Sequence, residues 1–115
     1  MKKFYYLDSC STCKRIMKEL NFAENVEMRE IKSSPITAEE ADSIAAKTGS
    51  YEAMFSKRAM KYRSMGLHEK ELSEKDYRRY LLEEYTFLKR PVLETDSAAV
   101  AGNSKKAVEE MKSLL

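Results

Sequence analysis

Across residues 3–31 the apolar pattern changes period twice, and this constrains the fold more than any other feature of the chain. Residues 3–7, "KFYYL", form a short, aromatic-rich, continuous run that suits a buried strand better than a helix. Asp8 and Ser9 break it, and a helical pattern starts near Ser11. Ile16, Met17 and Leu20 share one stripe of that helix, while Lys14, Arg15, Lys18 and Glu19 cover the rest of its surface. Asn21 ends it. Residues 26–31, "VEMREI", then alternate apolar and charged side chains, the period of a half-buried strand. The product is a β-α-β unit with Cys10 and Cys13 at the turn from strand to helix.

Beyond it, "SSPIT" is a breaker, and Thr37 followed by Glu40 has the form of a capping box that opens a helix to about residue 47, stopped at Gly49. Residues 51–65 read as one or two short helical pieces ending before Gly66. Ser73 with Asp76 caps another helix that runs to about residue 85 and packs through Tyr77, Tyr80, Leu81 and Tyr85. Residues 91–94 ("PVLE") and 98–101 ("AAVA") flank a polar turn and suggest a hairpin. Asn103 or Ser104 caps a last helix with Ala107, Val108, Met111 and Leu115 on one face. Setting aside a helical insertion at about 36–87 leaves βαβ–ββα, the α/β core of the thioredoxin and glutaredoxin fold, with a mixed four-stranded sheet. That core also carries a C-x-x-C pair between its first strand and first helix. The chain, residues 1–115, reads as a single domain of this kind.

Charge narrows the function classes. Lysine and arginine number 21 against 19 acids, a formal net charge of +2. That balance lacks the basic excess expected of a nucleic-acid binder. No apolar run approaches the roughly 18 to 20 residues that span a bilayer. The start, "MKKFYYLDSC", has too short an apolar stretch for a signal peptide. These features point to the cytoplasm, where thiols are kept reduced and a permanent structural disulfide is disfavoured.

Cys10 and Cys13 fit a metal clip, a structural disulfide, a reactive pair or two inert thiols. Zinc takes four ligands, and His68 is the one further soft ligand in the chain, so no metal site is expected. Placement favours a reactive pair. Cys10 precedes a helix whose first amides have no intrahelical partner, and the positive end of the helix dipole favours an anion there. Lys14 and Arg15 add positive charge within a turn. Together these can lower the Cys10 pKa by about one or two units, each worth about 1.4 kcal/mol. Cys13 lies in the first turn, on the buried side and within disulfide reach of Cys10. Cys10 is therefore expected to attack, and Cys13 to resolve by forming an intramolecular disulfide.

Three blocks, "FYYLDSCSTCKRIMKEL", "FSKRAMKYRSMGL" and "FLKRPVLETDSAAVAGNSKKAVEE", resemble the arsenate reductase (ArsC) and Spx family in order and spacing. The resemblance covers nearly the whole chain. It implies that Cys10 is the nucleophile, with Ser11, Thr12 and Pro91 forming the backbone of the thiol site and Pro91 in the cis form. It implies that Arg58 and Arg90 face an oxyanion, with Lys14 beside the loop a further candidate for binding it; an arginine's planar fork binds tetrahedral oxyanions in a bidentate way. The arsenate reductases lack the second loop cysteine, so Cys13 resembles the family's redox-switched regulators. A further arginine is expected after the hairpin, where "AVAGNSKKAVEE" offers only Asn103, Lys105 and Lys106.

Two functions follow from the resemblance. One is a cytosolic thiol-dependent reductase with no bound cofactor, drawing electrons from glutathione, glutaredoxin or thioredoxin. The other is a Spx-like regulator whose Cys10–Cys13 disulfide switches binding to RNA polymerase. Those regulators carry a basic C-terminal extension, and the ending "MKSLL" tilts the expectation toward the enzyme. The four cations between Lys57 and Arg63 otherwise read as a solvated helix face.

Overall fold

A computed structural model describes residues 1–22 and 25–115. Four strands among the described residues, β1 (Lys2–Tyr6), β2 (Glu27–Glu30), β3 (Val92–Thr95) and β4 (Ala99–Ala101), form one sheet in the order β2-β1-β3-β4. β1 pairs parallel with β2 and antiparallel with β3, and β3 pairs antiparallel with β4. Helix α1 (Ser11–Leu20) makes the crossover between the parallel strands, and α5 (Lys105–Leu114) follows the hairpin. Between the halves lie α2 (Ala38–Thr48), α3 (Met60–Ser64) and α4 (Glu74–Glu83), with 3-10 turns at Glu52–Met54, Leu67–Glu69 and Tyr85–Phe87. This is the expected mixed-sheet α/β fold with its helical insertion.

Successive side chains of the central strands enter opposite layers. Phe4 and its β3 partner Leu93 pack with Ile16, Val108 and Met111 under α1 and α5. Tyr5 and its partner Val92 pack with Ile44, Phe55, Leu81 and Phe87 under the insertion. Both faces are covered, which is why "KFYYL" is continuously apolar rather than alternating.

Local chemistry sets the element ends. Asn21 closes α1 in the left-handed region at φ 49°, and Thr37 with Glu40, and Ser73 with Asp76, form complete capping boxes. Ser104, rather than Asn103, caps α5 by accepting the Ala107 amide at 3.0 Å.

Other expectations are corrected. β1 starts and ends one residue earlier than the run suggests, though Leu7 remains buried. α4 stops at Glu83 because Glu84 turns extended, at φ −144°, and Tyr85 enters the 3-10 turn. Tyr77 and Leu81 are nonetheless buried, with Tyr80 and Tyr85 packed against the same cluster. β2 is an edge strand, so its alternation fails: Met28 is 39 % exposed while Ile31 is buried. Leu115 is 39 % exposed as well, and Leu114 takes its place against the core.

One carboxylate ties the insertion to the sheet. Glu40, the capping-box residue of α2, accepts Lys3 Nζ at 3.0 Å and Arg29 Nη1 at 2.7 Å. Burial pushes its pKa up, but the Thr37 amide, Lys3 and Arg29 outweigh that and hold it at about 2. A carboxylate depressed in the folded state stabilises above its unfolded pKa, and loses that contribution as pH falls through the folded value. Wild-type stability to urea is therefore expected to drop between about pH 4.3 and the folded value of about 2. Glu40→Gln should flatten that part of the profile, and an unchanged slope would remove Glu40 from the account.

Candidate active site

The strand-to-helix turn that carries the cysteines is closed by the Cys10 amide donating to the Leu7 carbonyl at 3.0 Å. Cys10 is the N-cap of α1, with extended backbone at φ −88° and ψ 111°. Its Sγ accepts the Cys13 amide at 3.5 Å, so a cysteine occupies the place that serine or aspartate usually takes. Cys13 lies in the first turn, fully buried, and both thiols are free.

Their environments push them apart. Burial raises the Cys10 thiol, but the amide and side chain of Cys13, the Arg90 guanidinium and the Thr12 amide together bring it below the ordinary thiol value. Burial and the neighbouring Cys10 push Cys13 up to about 11, against the lowering effects of the Leu7 backbone and Arg90. Cys10 is thus the more readily ionised of the two sulfurs, and Cys13 the one that keeps its proton.

Arg90 reaches this loop from the segment just before β3. The Arg90–Pro91 peptide bond is cis, and the Pro91 carbonyl accepts the Gly102 amide at 2.9 Å. This bond extends the β3–β4 pairing by one residue, and Gly102 sits at φ 110°, in a region that L side chains rarely adopt. The Arg90 Nη1 atom is buried with no hydrogen-bond partner among the described residues. A buried donor without an acceptor is costly, on the order of 1–3 kcal/mol, and is uncommon unless a ligand completes it.

Cys10, Arg58, Lys89, Arg90 and Asn103 line one open groove of about 800 Å³. Its far wall is assembled by chain pairing: Phe55 bridges Leu88, the Ser56 amide donates to the Phe87 carbonyl at 2.7 Å, and the Lys89 amide donates to the Met54 carbonyl at 2.9 Å. Lys57 and Arg58 follow this pairing on one segment and Lys89 and Arg90 on the other, and all four line the groove. Lys57 is neutralised by Glu52 at 2.6 Å, also on the groove. Arg58 and Lys89 make no ion pair or side-chain hydrogen bond among the described residues. The groove therefore holds a surplus of positive charge next to a depressed thiol.

The structure brings Cys10, Arg58 and Arg90 together on this groove and puts Cys13 beneath Cys10. Ser11 and Thr12 begin α1, and the Thr12 amide acts on Cys10. Lys14 is exposed and does not line the groove; Arg15 is likewise exposed and lies 3.9 Å from Glu19. The cation that bears on Cys10 is Arg90, not either of these neighbours in sequence. Of the polar candidates after the hairpin, Asn103 lines the groove and Lys105 and Lys106 do not. Sequence reasoning missed Lys89, Glu52 and Ser50 as lining residues. Lys89 had a signal, its adjacency to Arg90 in "LKRP", whereas Ser50 and Glu52 had none. Among the described residues no three His, Cys, Asp or Glu side chains gather to hold a metal, and no helix is long and apolar enough to cross a membrane.

The chain thus combines a thioredoxin-like four-stranded sheet with a cysteine at the N-terminus of its first helix, on a groove shared with Arg58 and Arg90. The chain belongs to the ArsC family, whose model matches residues 5–111. It is similar to a Staphylococcus aureus protein solved by NMR, at 28 % identity and TM-score 0.78 over 96 % of this chain and 97 % of that one. An ArsC family related protein from Bacteroides fragilis shares 22 % identity at TM-score 0.78, covering 96 % of both chains. An arsenate reductase from Vibrio cholerae shares 17 % at TM-score 0.79, covering 99 % of this chain and 97 % of that one. The last two likenesses show the fold alone. No curated protein matches the sequence.

Proposed function

We propose that this chain is a thiol-dependent oxidoreductase of the arsenate reductase type, with Cys10 as nucleophile and Cys13 as resolving thiol. One observation carries the proposal: a thiol held below its ordinary pKa shares a groove with Arg90, whose buried Nη1 has no partner among the described residues. An oxyanion or a developing thiolate would give that donor its acceptor.

With a disulfide substrate, the Cys10 thiolate attacks one sulfur, forming a mixed disulfide and expelling the other sulfur as a thiolate that takes up a proton. Cys13, once deprotonated, attacks Cys10; the new Cys10–Cys13 bond releases the second thiolate. With arsenate, the thiolate adds to arsenic(V) and one oxygen leaves as water. Attack of a second thiol on Cys10 then returns the sulfur–arsenic electron pair to arsenic, which departs as arsenite. In both cases two electrons from glutathione, glutaredoxin or thioredoxin restore the thiols, in a reducing compartment such as the cytoplasm. Arg58 and Arg90 neutralise the anion, and Lys14 contributes only distant charge from outside the groove.

The test is a reductase assay of wild type, Cys10→Ser and Cys13→Ser, with arsenate and with a small disulfide, supplying each donor in turn. Cys10-dependent turnover is expected. No turnover of either substrate with any donor would defeat the proposal, and turnover of the disulfide alone would remove arsenate from it.

A second reading is favoured by Asn103, which stands on the groove where the resemblance calls for an arginine. A redox-switched regulator needs the Cys10–Cys13 pair but no complete oxyanion site. Capture of RNA polymerase by only one redox form of the protein would support it.

A further inference from the structure

We propose that Glu30 is a positioning residue for Cys10: its carboxylate clamps the cysteine loop to the turn after β2 and so sets the thiol at the start of α1. This rests on the thiol chemistry proposed above. Glu30 ends β2 directly beside Tyr6, the last residue of β1, in parallel register. The two chains part there, one toward Cys10 and the other into the turn at residues 31–34. Main-chain pairing continues for one more bond, the Ile31 amide donating to the Tyr6 carbonyl at 2.9 Å.

Beyond that point the Glu30 side chain bridges the gap. Its Oε2 accepts the Asp8 amide at 2.9 Å. Its Oε1 accepts the amides of Lys32 at 3.0 Å and Ser33 at 2.8 Å, and the Ser33 hydroxyl at 2.8 Å. One oxygen thus serves the cysteine loop and the other the turn. The Asp8 amide, then that of Ser33, hold the carboxyl at about 2, so the clamp is fully charged at neutral pH. Asp8 lies within the turn that the Cys10 amide closes onto Leu7, so fixing its amide fixes the approach of the chain to the N-cap. The Cys10 Sγ contact with the Cys13 amide is already long, at 3.5 Å, and a small drift of the loop would lose it.

The sign of the effect separates positioning from charge. Deleting a nearby negative charge would by itself favour the Cys10 thiolate, whereas loosening the loop withdraws amides from that thiolate and disfavours it. The experiment follows thiolate absorbance at 240 nm against pH in a Cys13→Ser background, with Glu30→Ala, Glu30→Gln and Ser33→Ala, and with thermal melts of each. Glu30→Ala is expected to raise the Cys10 midpoint and to slow alkylation at pH 7 about three- to tenfold. Glu30→Gln, with one accepting oxygen, should fall between, and Ser33→Ala should stay within about twofold of the parent because Oε2 still holds Asp8.

A Glu30→Ala midpoint that is unmoved or lowered, even with a lower melting temperature, would reduce Glu30 to a turn stabiliser and overturn the inference. If Glu30→Ala does not fold, an unmoved midpoint in Glu30→Gln decides in the same way. A parent midpoint at the ordinary thiol value would instead defeat the proposed function, a distinguishable failure.

Discussion

Cys10→Ser is expected to abolish thiol exchange, lowering kcat/KM by about a thousandfold or more. A hydroxyl at the same N-cap receives the same amides, yet it remains protonated at neutral pH and cannot form the sulfur–sulfur bond on which both half-reactions depend. The cap itself is preserved, since serine is a preferred N-cap residue, so the fold should survive. Cys13→Ser should fail differently. Its Cys10 still attacks, but without the resolving sulfur the first half-reaction ends in a mixed disulfide, and the intact mass rises by that of the captured thiol. Excess small thiol should partly restore its turnover by resolving from solution. Full activity of Cys10→Ser would overturn the assignment of the nucleophile. A Cys13→Ser variant that turns over normally without added small thiol would remove Cys13 from the mechanism.

Arg90→Ala separates activity from stability. Its guanidinium is the cation that lowers Cys10, so its loss should raise the thiol midpoint and cut the thiolate fraction at neutral pH. Turnover should fall further, because the substrate anion also loses its buried donor. The melting temperature should hold or rise, since the variant removes a buried donor that has no acceptor among the described residues. Arg90→Lys keeps a charge without the planar fork and is expected to restore thiol ionisation better than turnover. Phosphate, a tetrahedral stand-in for the substrate, should slow Cys10 alkylation in wild type at constant ionic strength and lose that effect in Arg90→Ala. A variant that lost stability in step with activity would mark Arg90 as structural.

The parts of this fold that depend on local chemistry were legible from sequence. The continuous "KFYYL" strand, the capping boxes at Thr37 and Ser73, and the hairpin after Pro91 each depend on a few neighbouring residues. Cys10 was legible for the same reason, because its helix N-terminus lies in its own next turn. What escaped depends on partners far along the chain. Glu94 reads as the ordinary end of a strand but is buried, held by Tyr5, by Ser43 at 2.6 Å and by Lys47 at 2.8 Å from α2. Met28 breaks its alternation because β2 turned out to be an edge. Lys14 looked like the cation for Cys10 because it is close in sequence, whereas the pairing of Phe55 with Leu88 builds the wall on which Arg58 and Arg90 stand.

The asymmetry between the two thiols is the centre of this account, and pulsed alkylation with peptide mapping tests it without a substrate. Reduced wild type is exposed briefly to iodoacetamide across a pH series, and the label on each cysteine is quantified. The expected result is a Cys10 midpoint below the ordinary thiol value of about 8.5, with Cys13 silent until the pH approaches its own value of about 11. Equal labelling of the two cysteines, or Cys13 reacting first, would contradict it.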